Sequence, residues 1–258
     1  MTERDRVVGY NGVMATYREQ GIVLRTYKLG ETDRILHLCT QGRGKVRAVA
    51  KGVRRPGSRF GGRLEPYGHV DLQLYEGRNL DVVNQAELIA PNARVRADYV
   101  LSVCAATMAE VTDAVAQEGE RDNALFLLLR AGLQALDAAP PDPAVFVDAF
   151  LLRVASIVGF HAFTDACAVC RTPGQHVFLS VKAGGTLCAD CAPTGTRAVD
   201  REVVEVVRVL ASPGEWSALP ALVRDRPAAQ RTAASYTRAF VEHHLDRRLR
   251  SYELVPRA

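Results

Sequence analysis

The sequence predicts an α+β protein, with a small closed β-barrel first and then a helical half that carries an inserted four-cysteine module. Three observations predict it. Residues 21–90 alternate apolar and polar positions in short runs separated by glycine-containing turns, which is the period of half-buried strands. From residue 98 onward apolar residues recur at three- and four-residue spacing, the period of a helix face. Two Cys-x2-Cys pairs interrupt that helical pattern. A chain of 258 residues is long enough for one large domain or two ordinary ones.

Residues 1–15 show no strong period and read as an extension, with Met14 as an alternative start just before the first patterned segment. Strands are expected at Gly21–Tyr27, Arg34–Thr40, Lys45–Lys51, Val70–Tyr75 and Leu80–Ala90. Five short strands in so few residues suggest closure, which removes exposed sheet edges. The third strand is the most informative. Val46, Ala48 and Ala50 face one way, while Lys45, Arg47, Val49 and Lys51 face the other. The barrel domain is therefore placed at 16–93 and the helical domain at 94–258.

Pro91 and Asn92 end the strand pattern. Helices are expected from Asp98 to Ala116, from Asn123 to Ala138, from an Asp142 cap and Pro143 to about Gly159, from an Asp200 cap over Arg201–Leu210, and over Ala228–Arg250. Asp before Pro at a helix start satisfies an orphan N–H and uses a position where proline costs no hydrogen bond. Cys39 and Cys104 lie on apolar-patterned elements and read as core residues. His243 and His244, beside Asp246, Arg247 and Arg248, read as a solvated helix face.

Composition narrows the function classes. Hydrophobic residues are 48% and charged residues 24%, ordinary for a globular protein. No apolar run reaches the roughly 18 residues of a membrane span. The start is charged and lacks the apolar core of a secretory signal, so the expected compartment is the cytoplasm. Net charge is +4 overall, but residues 16–65 hold twelve Lys and Arg against four acids, a net of +8, which leaves −4 for the rest. Such asymmetry points to a polyanionic partner for the barrel.

The loop Lys51-Gly-Val-Arg-Arg-Pro-Gly-Ser-Arg-Phe-Gly-Gly-Arg63 holds five cations and no acid. Arginine meets phosphate with a planar fork, and Phe60 reads as a stacking face for a base. With cations on the strands, the candidate nucleic-acid-binding set is Arg25, Arg34, Lys45, Arg47, Lys51, Arg54, Arg55, Arg59, Phe60 and Arg63. No nucleotide-binding glycine loop, nucleophile elbow or paired-histidine metal motif is present, so no catalytic residue is assigned and an enzyme is disfavoured.

Cys167, Cys170, Cys188 and Cys191 form two Cys-x2-Cys pairs seventeen residues apart. Between them, His176–Val181 and Thr186-Leu187 read as a hairpin turned at Gly184-Gly185, which returns the second pair to the first. Outside oxidising compartments such a cluster reads as a metal site rather than as disulfides. Four thiolates suit one structural Zn2+ and leave no open coordination position. An iron–sulfur cluster and redox dithiols are the other readings, and His161 and His176 lie close enough in sequence to serve as substitute ligands. The module is placed at 164–195.

Several stretches, in order, resemble the bacterial RecO family. They are Gly21-Ile-Val-Leu-Arg-Thr-Tyr, Gly30-Glu-Thr-Asp-Arg-Ile-Leu, Gly44-Lys-Val-Arg-Ala-Val-Ala-Lys-Gly-Val-Arg-Arg, Ser58-Arg-Phe-Gly, Tyr75-Glu-Gly-Arg and Ala86-Glu-Leu-Ile in the first half. Leu127-Leu-Leu-Arg-Ala-Gly-Leu, the first cysteine pair, Gly184-Gly-x-Leu-Cys188 and His244-Leu-x-x-Arg-Leu-Arg-Ser251 follow in the second. The resemblance implies an OB-fold barrel and a helical C-terminal domain with a zinc module. It implies a non-enzymatic recombination mediator in DNA repair, cytoplasmic and nucleoid-associated. Such a mediator binds single-stranded and duplex DNA, anneals strands coated by single-strand-binding protein and, with RecR, helps load RecA. One departure stands out: relatives often carry Gly-Tyr-Arg-Pro before the first cysteine pair, where this chain has Gly159-Phe-His-Ala-Phe. The alternative reading is a zinc-ribbon and OB-fold adaptor that binds RNA or protein in transcription or translation.

Overall fold

A computed structural model describes residues 15–257. The expected extension, and with it the alternative start at Met14, lies almost wholly outside the described residues. Five strands close into a barrel in the order β1-β2-β3-β5-β4. They are β1 (Thr16–Leu29), β2 (Asp33–Thr40), β3 (Gly44–Ala50), β4 (His69–Tyr75) and β5 (Asp81–Ala90). The long β1 pairs antiparallel with β4 through its first half and with β2 through its second, bending at a bulge between Val23 and Arg25. A short parallel contact, Ala48 to Asp81 and Val49 to Val82, closes the barrel between β3 and β5. This strand order is that of the OB-fold.

The alternation read in the sequence fills the barrel. Val23, Leu36, Leu38, Val46, Ala48, Ala50, Val70, Leu72, Leu74 and Val83 are buried together inside. Each fully buried Val or Leu contributes about 1.5–3 kcal/mol. Phe60 and Leu64 enter the same cluster from the loop between β3 and β4. That loop is a train of turns: Ser58 N–H bonds Arg55 O, Gly61 N–H bonds Ser58 O, and Arg63 N–H bonds Phe60 O.

The helical half surrounds α4 (Pro143–Ile157), which is buried along nearly its whole length. Against it pack α2 (Tyr99–Val115), α3 (Asn123–Asp137), α5 (Arg201–Ala211) and α7 (Pro227–His244). Asp98 and Asp122 cap α2 and α3, accepting from Leu101 N and Leu125 N at 2.9 Å. Asp142 and Asp200 occupy the expected N-cap positions, but neither side chain makes a capping bond. Two short helices were not anticipated: α1 (Ala93–Ala97) and α6 (Leu219–Val223), the latter led by a 3-10 turn at Trp216–Ala218. At five residues each, they are too short for a period to register in the sequence. The last helix stops at His244 rather than Arg250. Asp246 takes a left-handed φ of 47°, and the chain turns back so that Glu110 of α2 accepts from Arg250 N at 3.0 Å and Ser251 N at 2.9 Å.

The outer faces of β1 and β2 and the start of β4 are not free. Ile22, Leu24 and Cys39 belong to the core cluster of the helices, and His69 meets the ring of Phe126 edge-on at 5.6 Å. Cys39 and Cys104 are buried core residues, as expected.

Candidate nucleic-acid interface and metal centre

The two cysteine pairs converge. The Sγ atoms of Cys167, Cys170, Cys188 and Cys191 all lie within 4.8 Å of one another, with Cys170 and Cys188 at 3.7 Å. For a metal–sulfur distance of about 2.3 Å, a tetrahedron has sulfur–sulfur edges of about 3.8 Å. The first pair sits in a knuckle in which Arg171 N–H bonds Cys167 O at 2.9 Å. The hairpin of β6 (Phe178–Ser180) and β7 (Gly185–Leu187) then delivers the second pair. Gly185 is required there, because a Cβ would fall 2.1 Å from Phe163 O.

The electrostatics suit a cation. Burial pushes the Cys167 thiol up, but backbone N–H groups of Cys188, Cys170 and Val169 outweigh it and bring the thiol down to about 6. Hydrogen bonding to Cys188 and Cys170 pushes Cys191 the other way, up to about 12. Four sulfurs this close cannot all be thiolates unless a positive ion sits among them. His161 and His176 are not part of the cluster. His161 Nδ1 pairs with Ser156 Oγ at 3.1 Å, and His176 Nε2 with Thr172 O at 2.9 Å.

His244 is no solvated residue. It donates from Nε2 to Val181 O at 2.9 Å and lies between Phe160, stacked at 5.0 Å, and Phe240 at 4.4 Å. It thereby fastens the cysteine module to α7. Phe160 sits inside the Gly159-Phe-His-Ala-Phe stretch, which thereby has a structural use.

The candidate DNA-binding residues divide into two groups. One group is already engaged. Arg25 and Lys45 both reach Asp113 of α2, Lys45 at 3.5 Å, and His37 Nδ1 lies 3.3 Å from the same carboxylate. Arg47 Nε is 2.6 Å from Glu118, and Arg34 is 3.0 Å from Glu65. These carboxylates went unread in the sequence. Asp113 had a signal, an acid among the apolar positions of α2, where it is 9% exposed.

The second group is Lys51, Arg54, Arg55, Arg59 and Arg63, all exposed on the β3–β4 loop. Among the described residues none forms an ion pair with an acid. The loop is held in place from below. Asp33 Oδ1 accepts from Gly52 N at 2.7 Å, and that N–H, with the Thr32 hydroxyl, holds the Asp33 carboxyl below the usual carboxylate range. Arg54 N–H bonds Thr32 O at 2.9 Å.

Phe60 requires a correction. Its ring is 2% exposed inside the barrel and Arg59 lies over it at 4.8 Å, so it offers no face to a base. A ring between Arg59 and Gly61 reads as a loop residue, but Leu64 four positions on goes inward with it, and together they anchor the loop.

Comparison with known proteins agrees with this architecture. The family model described as "Recombination protein O N terminal" matches residues 14–92. The one described as "Recombination protein O C terminal" matches residues 96–253. The chain is 44% identical over 248 residues to the DNA repair protein RecO of Frankia casuarinae, covering 95% of this chain and 100% of that one. It is 41% identical over 250 residues to the protein of the same name from Cutibacterium acnes, and 41% over 249 residues to that from Thermobifida fusca, in both cases 95% of this chain and all of the relative.

Proposed function

The chain belongs to the recombination protein O family of DNA repair proteins, and we propose that it works without catalysis, binding single-stranded DNA by its phosphates and annealing complementary strands. One observation carries the reading. Five cations share one ordered, glycine-rich loop at the end of a closed barrel, exposed and unneutralised. A closed OB-type barrel with a cationic surface holds strands without reading sequence. Contacts from Lys51, Arg54, Arg55, Arg59 and Arg63 go to phosphate, so they position DNA and do not specify bases. Phe60 supports that binding indirectly, by fixing the loop. Duplex DNA meets the same cations.

Cys167, Cys170, Cys188 and Cys191 would hold one Zn2+, which supplies structure rather than chemistry because no coordination position stays open. The module's attachment through His244 gives the ion a role in keeping the helical half intact. The partners proposed are those of the family reading: RecR, single-strand-binding protein and, through them, RecA, at the nucleoid. Among the described residues no helix is long and apolar enough to cross a membrane.

The experiment is annealing of complementary strands coated by single-strand-binding protein, with and without RecR. Annealing that rises with protein concentration and falls with added salt supports the reading. Normal annealing by a chain with Arg54, Arg55 and Arg59 all changed to Ala removes the loop from it.

A further inference from the structure

The segment linking α2 to α3, Gln117-Glu-Gly-Glu-Arg-Asp122, carries three acids and one base. It does not loop into solvent. It lies against the start of β3 through isolated backbone bridges, with Lys45 N–H bonded to Gln117 O at 2.9 Å and Gly119 N–H to Arg43 O at 3.2 Å, and Glu118 bridged to Gly44 and Lys45. The fit is close. A Cβ on Gly44 would fall 2.1 Å from Glu120 O and 2.5 Å from Gln117 O, so glycine is needed there for contact as well as for its φ of 63°. From this position Glu118 reaches Arg47 at 2.6 Å.

We propose that this acidic segment is an internal competitor for DNA, a latch that occupies the cationic face of β3 and is displaced when a strand extends onto it from the β3–β4 loop. The proposal rests on the phosphate-binding reading above and adds to it a regulation of the same face. The geometry is suitable. Lys45 and Arg47 alternate onto the same side of β3, and Lys51, four residues past Arg47, opens the free loop about 13 Å away at roughly 3.3 Å per residue. Arg47 and Glu118 have side chains 41% and 53% exposed, so their ion pair is weak and exchangeable. The backbone bonds of the latch are few, and the flanking Gln117, Gly119, Glu120 and Arg121 are exposed. A phosphate taking over Arg47 leaves Glu118 in water at little cost. Asp113 behind it is 9% exposed and keeps Lys45 engaged, so the latch gives up Arg47 first.

The test uses the full chain and a labelled oligo-dT strand. Glu118→Gln should bind about two- to fivefold more tightly, the worth of one exposed ion pair. In an Arg47→Ala background the same change should do nothing. Amide exchange at Lys45 and Gly119 should quicken when DNA is added to the wild-type chain. If Glu118→Gln tightens binding equally without Arg47, the effect is general charge and the latch is wrong. If Glu118→Gln is without effect while the Arg54, Arg55, Arg59 triple change weakens binding, the latch is wrong and the phosphate-binding reading stands. If that triple change is also without effect, the phosphate-binding reading itself is wrong.

Discussion

Arg257 closes a fork on Asp148, with Nη1 and Nη2 each 2.8 Å from one carboxylate oxygen. Burial pushes the Asp148 carboxyl up and the fork opposes it, while Tyr252 donates a further bond at 2.8 Å. The chain end is thus tied to α4, the central helix. Removing one partner of a buried pair strands the other charge at a cost of about 3–5 kcal/mol. With Arg257 28% exposed, Arg257→Ala should cost about 3 kcal/mol in urea unfolding, at the low end of that range. The double change with Asp148→Ala should cost less than the two single changes added together. Full additivity would mean the two side chains do not act as a pair.

Two histidines at the seam between barrel and helices make stability depend on pH. Burial lowers both His37 and His69 below their ordinary value, with Arg130 adding to the effect at His69 and Asp113 opposing it at His37. Among the described residues, His69 Nε2 is buried with no hydrogen-bond partner. Below the usual pKa of about 6.5 the unfolded chain therefore binds more protons than the folded one, and stability falls with pH. Unfolding free energy should drop between pH 7.5 and pH 5.5, and drop less when both histidines are changed to Gln. Equal pH slopes for the two chains would assign the dependence to other groups.

Phe60 should behave as a core residue. Phe60→Ala should cost about 3–5 kcal/mol, as for other buried rings, and should raise amide exchange across the β3–β4 loop. Were the ring a stacking platform instead, the change would weaken DNA binding and leave the melting temperature in place.

The cysteine module should hold one zinc per chain by elemental analysis. Cys167→Ser or Cys191→Ser should lower both bound zinc and thermal stability, because binding and local folding are coupled. Chelation should loosen the module first and then α7, through the His244 bond to Val181. A purified chain with no bound metal would overturn the assignment.

What could be read from the sequence was whatever repeats locally. The inward set Val46, Ala48 and Ala50 announced β3, and the spacing of Cys167, Cys170, Cys188 and Cys191 announced their convergence. What could not be read depends on distant pairing. Arg47 and Glu118 stand 71 positions apart, so no local pattern shows that the outward cations of β3 meet acids from the helical half. His244 looked solvent-facing because its partner, Val181 O, is a backbone atom of a remote hairpin. Phe60 looked exposed because its neighbours are glycine and arginine, although its direction is set by the barrel interior beneath it. The candidate DNA surface accordingly shrinks from ten residues to the five cations on one loop.

The most direct test of that surface is the salt dependence of single-stranded DNA affinity, wild type against the Arg54, Arg55, Arg59 triple alanine chain. The five loop cations contribute about −3.5 to the slope of log K against log salt, and the two that remain in the triple variant about −1.4. Exposed charges contribute little to stability, so melting temperature and zinc content should be unchanged. Equal slopes and equal affinities for the two chains would contradict the account and move the DNA to another face of the protein.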